Sequence, residues 1–283
     1  LMPVKNGRLR FCSPSDPSKS PWFCLVEKAY AKLNGSYSNI SGGLFYNGIY
    51  SLLGYYPKRK NLAKFKKSGK PDDFIIQKIM KYQSDYDVIG TSIQLKKLAN
   101  NVTEQEVKDR GLILKHCYYL VKIRQINEKT LICLRNPWGS HEWNGDWSDK
   151  SSLWTPELKS TLNWEDKEDG TFWMCAEYYL KYFTEICLSV PIPPTWHLKR
   201  FEFQFTPGEH DGQKVNKISF QITDNVPSNN KCCFYLLVEK KRNLHDNNTE
   251  SVKYVVEFNH NNDIERFRTS KNLVTFPIVV NGK

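Results

Sequence analysis

Apolar positions change their spacing several times along this chain, and each change predicts an element. From 22 to 33, WFCLVEKAYAKL puts Trp22, Leu25 or Val26, Ala29, Tyr30 and Leu33 on one helical stripe. Ser20 is placed to cap that helix, Pro21 suits its first turn, and Asn34-Gly35 supplies the stop. The first twenty residues are otherwise loop-like, with a short strand over 8–12. Residues 38–56 are glycine-rich with aromatics and fit neither period. Pro71-Asp72 opens a second helix, DFIIQKIMKYQ. The apolar run VIGTSIQL, 88–95, predicts a buried strand, and a polar connection over 99–110 follows it.

Between 112 and 123 the period becomes two. Leu114, His116, Tyr118 and Leu120 share one face of the predicted strand. Lys115, Cys117, Tyr119 and Val121 share the other, so Cys117 points away from its neighbour His116. Residues 125–129 turn the chain and 130–135 return antiparallel, which brings Asn136 within reach of His116. A lone strand histidine is most often a packing residue. Asn136-Pro137-Trp138-Gly139 shifts that balance, because an asparagine amide holds an imidazole in one tautomer and a tryptophan over the bond keeps water off it. That is the His–Asn half of a thiol-nucleophile triad.

From 195 onward the chain is strand-rich: RFEFQF, KISFQI, CFYLLVE, VKYVVEF and VTFPIVV alternate with polar loops, as in an antiparallel sandwich. Its 283 residues suit one large or two ordinary domains. No secretory core and no run of bilayer length is present.

Composition adds three points. The eight cysteines show no Cys-x-x-Cys and no disulfide rhythm, which predicts reduced, mostly buried thiols and a cytoplasmic protein. Cys24 lies near a helix N-terminus, where a thiolate is stabilised, but a buried small residue of an amphipathic helix is the stronger reading. The net charge of +11 is densest in PKRKNLAKFKKSGK, 57–70. The simplest reading of that run is a solvated loop; the sharper ones are a nuclear-import patch or contact with an anionic membrane surface. The aromatic and basic layout of a nucleic-acid reader is missing, so no nucleic acid is expected as partner.

The central motifs have a family likeness. GLILKHCYYLVKI, LRNPWG, E-W-N-G-x-W-S-D and EDGTFWM resemble the second protease-core subdomain of the calpains. WFCLVEKAYAKLNGSY with Gly42-Gly43 resembles the helix opening that subdomain, and VIGTSI its central strand. TEICL and PTWHLKRFEFQF resemble its exit into the calpain β-sandwich. The likeness covers most of residues 1–205. It implies an α+β fold: a papain-like protease subdomain with an antiparallel barrel-like sheet over 1–190, followed by an all-β sandwich domain over 191–283.

Matched residue by residue, the resemblance implies His116 as catalytic base and acid, Asn136 as its orienter and Trp138 as the shield. It implies Glu142, Asp149 and Asp169 as Ca2+ ligands, completed by the carbonyl near Lys167. Thr171 stands where the family often has another acidic ligand, and losing that charge weakens a hard-cation site. The alternative for these carboxylates is a solvent-facing loop. The family's nucleophilic cysteine and oxyanion-hole glutamine belong to an upstream protease-core subdomain, and Cys24 matches an ordinary helix position. The expected protein is thus an intracellular, calcium-dependent endopeptidase acting on protein substrates, with this chain inactive alone. IYSLLGYY over 49–56 and LWTPELKSTL over 153–162 are closer to atypical calpains without EF-hands. The competing expectation is a non-catalytic calpain homologue acting as a protein- or membrane-binding module.

Overall fold

The computed structural model describes residues 3–12, 20–99 and 101–191, and the backbone of six strands between 209 and 281. The chain divides into two compact units, Leu1–Pro191 and Ile192–Lys283.

The first unit is α+β. It opens with a two-residue hairpin, β1 (Val4–Lys5) against β2 (Arg8–Leu9), closed by Asn6 and Gly7 at positive φ, so the strand expected over 8–12 is cut short. Helix α1 (Trp22–Leu33) starts one residue later than the sequence implies. Pro21 occupies the cap position and no side chain caps it, so Ser20 has no capping role. The helix stops at Asn34 with Gly35 at positive φ, as expected. Its apolar stripe faces outward: Trp22 is 63% and Leu33 66% exposed, with Leu25 and Val26 also exposed, while Cys24 and Ala31 on another face are buried. Periodicity identifies an amphipathic helix; it does not say which face the neighbouring elements cover.

The segment 38–56 holds a short 3-10 turn and helix α2 (Phe45–Leu53), ended by Gly54 in the left-handed conformation. The basic run 57–70 is not a solvated loop. Its first residues form β3 (Tyr56–Asn61), paired antiparallel along its length. Asn61 then caps α3 (Leu62–Lys67) through its side chain. Leu62 is buried in the core and Phe65 packs on it, which anchors a segment whose lysine heads stay outside. Helix α4 (Asp72–Asp85) buries Ile75, Ile76, Ile79 and Tyr82. Strand β4 (Ile89–Ser92) is the centre of the predicted apolar run. The polar connection contains a helix of its own, α5 (Glu104–Asp109), capped by Thr103 and anchored by the single buried Val107.

Strands β5 (Cys117–Ile126), β6 (Lys129–Arg135), β7 (Thr171–Cys175) and β8 (Glu185–Val190) complete a six-stranded antiparallel sheet of order β3–β8–β4–β5–β6–β7. Helices α6 (Pro156–Leu162) and α7 (Ala176–Tyr182) flank β7 in sequence. Alternation along the strands builds two cores. On one face Ile132, Leu134, Phe172 and Met174 join α4 and α7 side chains. On the other Leu131, Cys133, Trp173 and Cys175 meet Trp147, Trp154 and Leu162. In β5 a bulge between Leu120 and Lys122 shifts this parity, so Tyr118 and Leu120 but then Ile123 fill the first core. Gln83 braces the bulge: its amide donates to the Val121 carbonyl (3.2 Å) and accepts the Ile123 N–H (2.9 Å).

In the second unit β9 (Glu209–His210) pairs with β10 (Gln213–Lys214), β11 (Lys231–Glu239) with β14 (Leu273–Asn281), and β12 (Tyr254–His260) with β13 (Asp263–Thr269), all antiparallel. Three of the expected strands fall on β11, β12 and β14, and β13 is an additional one. The predicted strands over 200–205 and 217–222 lie outside the described residues.

Candidate active site

His116 is not inside β5 but immediately before it. Lys115 has φ 56°, so the extended chain breaks there and the strand begins at Cys117. The predicted alternation holds from His116 to Leu120, where the bulge begins. His116 and Tyr118 project to one side, their rings edge to face at 5.1 Å. The Tyr118 hydroxyl accepts the Ile113 N–H at 2.8 Å, which pins the turn carrying His116. Cys117 lies on the opposite side, next to Gly90 and Phe45, and burial pushes its thiol up to about 12. It is neither placed nor ionised to act with its neighbour.

Asn136 leaves the end of β6 and is fully buried. Its Nδ2 donates to the carbonyls of Ser140 (2.6 Å) and His141 (3.1 Å). Both partners only accept, so the amide orientation is fixed. Oδ1 accepts the Trp138 N–H (3.1 Å) and lies 2.8 Å from His116 Nε2. The proton in that last contact must therefore sit on Nε2, which leaves the Nδ1 lone pair as the basic site. Burial holds the His116 imidazole below its ordinary range, against the opposing pull of the Asn136 bond. The ring is accordingly neutral at pH 7 and able to accept a proton.

Trp138 covers this pair on one side. Its ring centroid is 4.4 Å from that of His116, with the planes inclined by 50°. The indole itself is 62% exposed, so its outer face meets solvent in this chain.

The loop then passes Glu142 and Asp149. Glu142 Oε1 accepts the Gly170 N–H (2.6 Å), and the Gly170 carbonyl accepts the Asn136 N–H (2.7 Å). One residue, through its N–H and its carbonyl, thus ties the carboxylate region to the His–Asn pair. Gly170 has φ 87°, and a Cβ there would overlap the Asn136 carbonyl and approach the Gly139 Cα to 3.0 Å. Neither the Gly170 bridge nor the Ser140 and His141 carbonyls carries a signal in side-chain chemistry. The glycine in EDGTFWM is the only hint of a close backbone approach.

Glu142 interacts with both Asp149 and Asp169. Burial, then the charges of Glu142 and Asp166, raise the Asp149 carboxyl to about 7. Glu142 is raised by burial first and by Asp169 as well. The donors are hard oxygens, the chemistry a calcium ion takes, and their excess negative charge is what a cation relieves. They are not arranged as a cage: among the described residues no three His, Cys, Asp or Glu groups converge on one point. Glu142 is engaged by Gly170, and Asp169 Oδ1 accepts the Thr171 N–H at 2.9 Å. The Lys167 carbonyl accepts the Asp169 N–H, also at 2.9 Å. Thr171 begins β7 and offers no carboxylate.

Two further thiols near the start of the chain have partners or environments of their own. Cys24 is buried and donates to the Cys12 carbonyl (3.0 Å), and burial raises Cys12 to about 11. All six cysteines among the described residues are free.

Comparison with known proteins places this geometry. The profile described as calpain family cysteine protease matches residues 1–189. The chain is 34% identical to mouse calpain-8 over 227 residues, covering 75% of this chain and 31% of that protein. It is 35% identical to the calpain-1 catalytic subunit of Macaca fascicularis over 201 residues, 68% of this chain and 26% of the relative. The figures for the chicken calpain-2 catalytic subunit are 35% over 200 residues, 67% and 27%. The chain thus spans about a third or less of the relatives it matches. A histidine and asparagine locked in one hydrogen bond beneath a tryptophan, within the 189 residues matched by that profile, make this chain a member of the calpain family of cysteine proteases.

Proposed function

We propose that this chain supplies the histidine–asparagine half of a calpain-type cysteine endopeptidase whose thiol nucleophile lies outside these 283 residues. The observation that carries the reading is the fully partnered Asn136, which leaves His116 only one tautomer. Nδ1 of His116 accepts the proton of the incoming thiol. The resulting thiolate adds to the scissile carbonyl, and the imidazolium returns its proton to the departing amine as the C–N bond breaks. In the second half His116 takes a proton from water, whose hydroxide releases the acyl group, and then reprotonates the thiolate. Asn136 Oδ1 stabilises each imidazolium without itself changing protonation. The substrates on this reading are proteins, and the physical partner is the cysteine-bearing subdomain.

Calcium is proposed for Glu142, Asp149 and Asp169, supported by the charge their neighbours leave unbalanced. The second oxygens of Glu142 and Asp169 would be available to hold the ion while the first stay on the Gly170 and Thr171 N–H groups, and the ion would supply charge neutralisation there. Titration calorimetry on this chain should give heat at millimolar calcium that Asp149→Ala removes.

The test of the catalytic reading joins this chain to the preceding segment encoded in its gene and measures casein cleavage sensitive to a thiol alkylating agent. Activity that His116→Ala abolishes is expected, with native circular dichroism retained. Unchanged cleavage by the variant refutes the assignment. A preceding segment with no cysteine leaves the non-catalytic binding module as the better reading.

A further inference from the structure

The basic segment 57–70 is used by neither the His–Asn pair nor the carboxylate region, yet it is built into the fold. Strand β3 is the edge of the sheet, and Lys58 and Lys60 share one of its faces. Burial and the nearby ammonium groups of Lys58 and Lys78 hold Lys60 below the ordinary lysine range, so strand and α4 bring their charges together. Lys78 in turn lies over the rings of Phe65 (5.4 Å) and Phe74 (5.5 Å), and Lys70 lies over Phe74 at 5.2 Å. Lys58 and Lys60 on the sheet edge thus lie within electrostatic reach of Lys78, which with Lys70 flanks Phe74 on α4.

Three features argue against a merely solvated face. Among the described residues no carboxylate lies within ion-pair distance of Lys58, Lys60, Lys70 or Lys78. Of the nearby acids, Glu185 binds Arg59 and Lys97, Asp72 faces Lys66 at 4.0 Å, and Asp73 beside Phe74 is exposed and offsets one of the positive charges. Edge-strand lysines guard against strand pairing, but that accounts for β3 alone and not for lysines flanking an aromatic ring on α4. Phe74 is 44% exposed between its two ammonium groups. An apolar ring set among cations suits an interface of anionic headgroups over hydrocarbon, where the ring enters and the lysines stay at the phosphates.

We propose that this β3–α4 surface docks the protein on an anionic membrane. The lysines supply electrostatic attraction that salt weakens, and Phe74 supplies a smaller apolar part that salt leaves intact.

The test is vesicle co-sedimentation of the 283-residue chain with a calcium chelator present, comparing phosphatidylcholine vesicles with and without phosphatidylserine. The wild-type chain should bind only the phosphatidylserine vesicles, more weakly as salt rises. Lys58→Gln/Lys60→Gln/Lys78→Gln should lose affinity on the order of a hundredfold. Phe74→Ala should lose less and keep the salt slope. Should the triple variant lose its native circular dichroism, Lys58→Gln/Lys60→Gln replaces it, with a loss on the order of tenfold or more. Equal binding to both vesicle types, no binding to either, or a folded lysine variant that binds like wild type overturns the proposal. So does binding of soluble polyglutamate at these lysines without vesicle binding, which would assign the surface to an acidic protein.

Discussion

The loop 136–149 feeds two polar sites in opposite electrostatic states. At the first, Asn136 has a partner for each polar side-chain atom, and the neighbouring imidazole is kept neutral by burial. At the second, Glu142 and Asp149 are half-buried beside each other and both are pushed toward the protonated form. The first site is preorganised, with its tautomer decided by backbone carbonyls before any substrate arrives. The second is frustrated, and its charges favour whatever cation or proton reduces them. Gly170 touches both, its N–H donating to Glu142 and its carbonyl accepting from Asn136, so the two states share one residue as a mechanical link.

The largest expected effect separates the sites by chemistry. In the protein that includes the cysteine segment, His116→Ala should lower casein cleavage by about a thousandfold or more, whereas Asp149→Asn should leave measurable turnover. Equal losses would mean that the two sites are not functionally distinct. Next comes the link itself. Gly170→Ala places a Cβ against the Asn136 carbonyl at φ 87° and should cost about 3 kcal/mol of stability in a urea melt. A wild-type melting curve would show that the close approach is not rigid.

The partnership of His116 with Asn136 was legible in the sequence because strand alternation and an antiparallel turn are local rules. The supports were not. The carbonyls of Ser140 and His141 belong to the backbone, and any residue supplies one. Lys115 takes a left-handed conformation that nothing in its side chain announces, so His116 was read inside a strand that begins one residue later. The bulge at Val121 is equally silent, though Gln83 on α4 exists to satisfy it. Charge hid three elements: β3 and α3 within the basic run, and α5, held by one apolar side chain, within the polar connection. The α1 stripe shows the converse, a correct period whose outward orientation depends on neighbours.

Smaller effects refine the picture of the first site. Asn136→Ala empties a fully buried position, takes the donor from the Ser140 and His141 carbonyls and should cost about 2 kcal/mol, read by the same melt. Acid should act through His116 in a defined direction. Its folded-state affinity for a proton is below the unfolded one, so the unfolded chain protonates first as pH falls below about 6.5. Stability therefore drops across that window and levels off once the folded ring is also charged. His116→Gln should flatten this part of the profile; an unchanged slope would assign it to another group. The smallest effect is an absence of change. Cys117, with its thiol pushed up to about 12, should resist alkylation in the native chain, and Cys117→Ala should leave cleavage by the extended protein unaltered.

The account rests on which nitrogen of His116 carries the proton. Two-bond 1H–15N correlation spectra of the 15N-labelled chain at pH 7.5 read this directly. A single tautomer protonated at Nε2, titrating below 6.5 and lost in Asn136→Ala, is the predicted result. A ring protonated at Nδ1, or an exchanging mixture unaffected by Asn136→Ala, would contradict it.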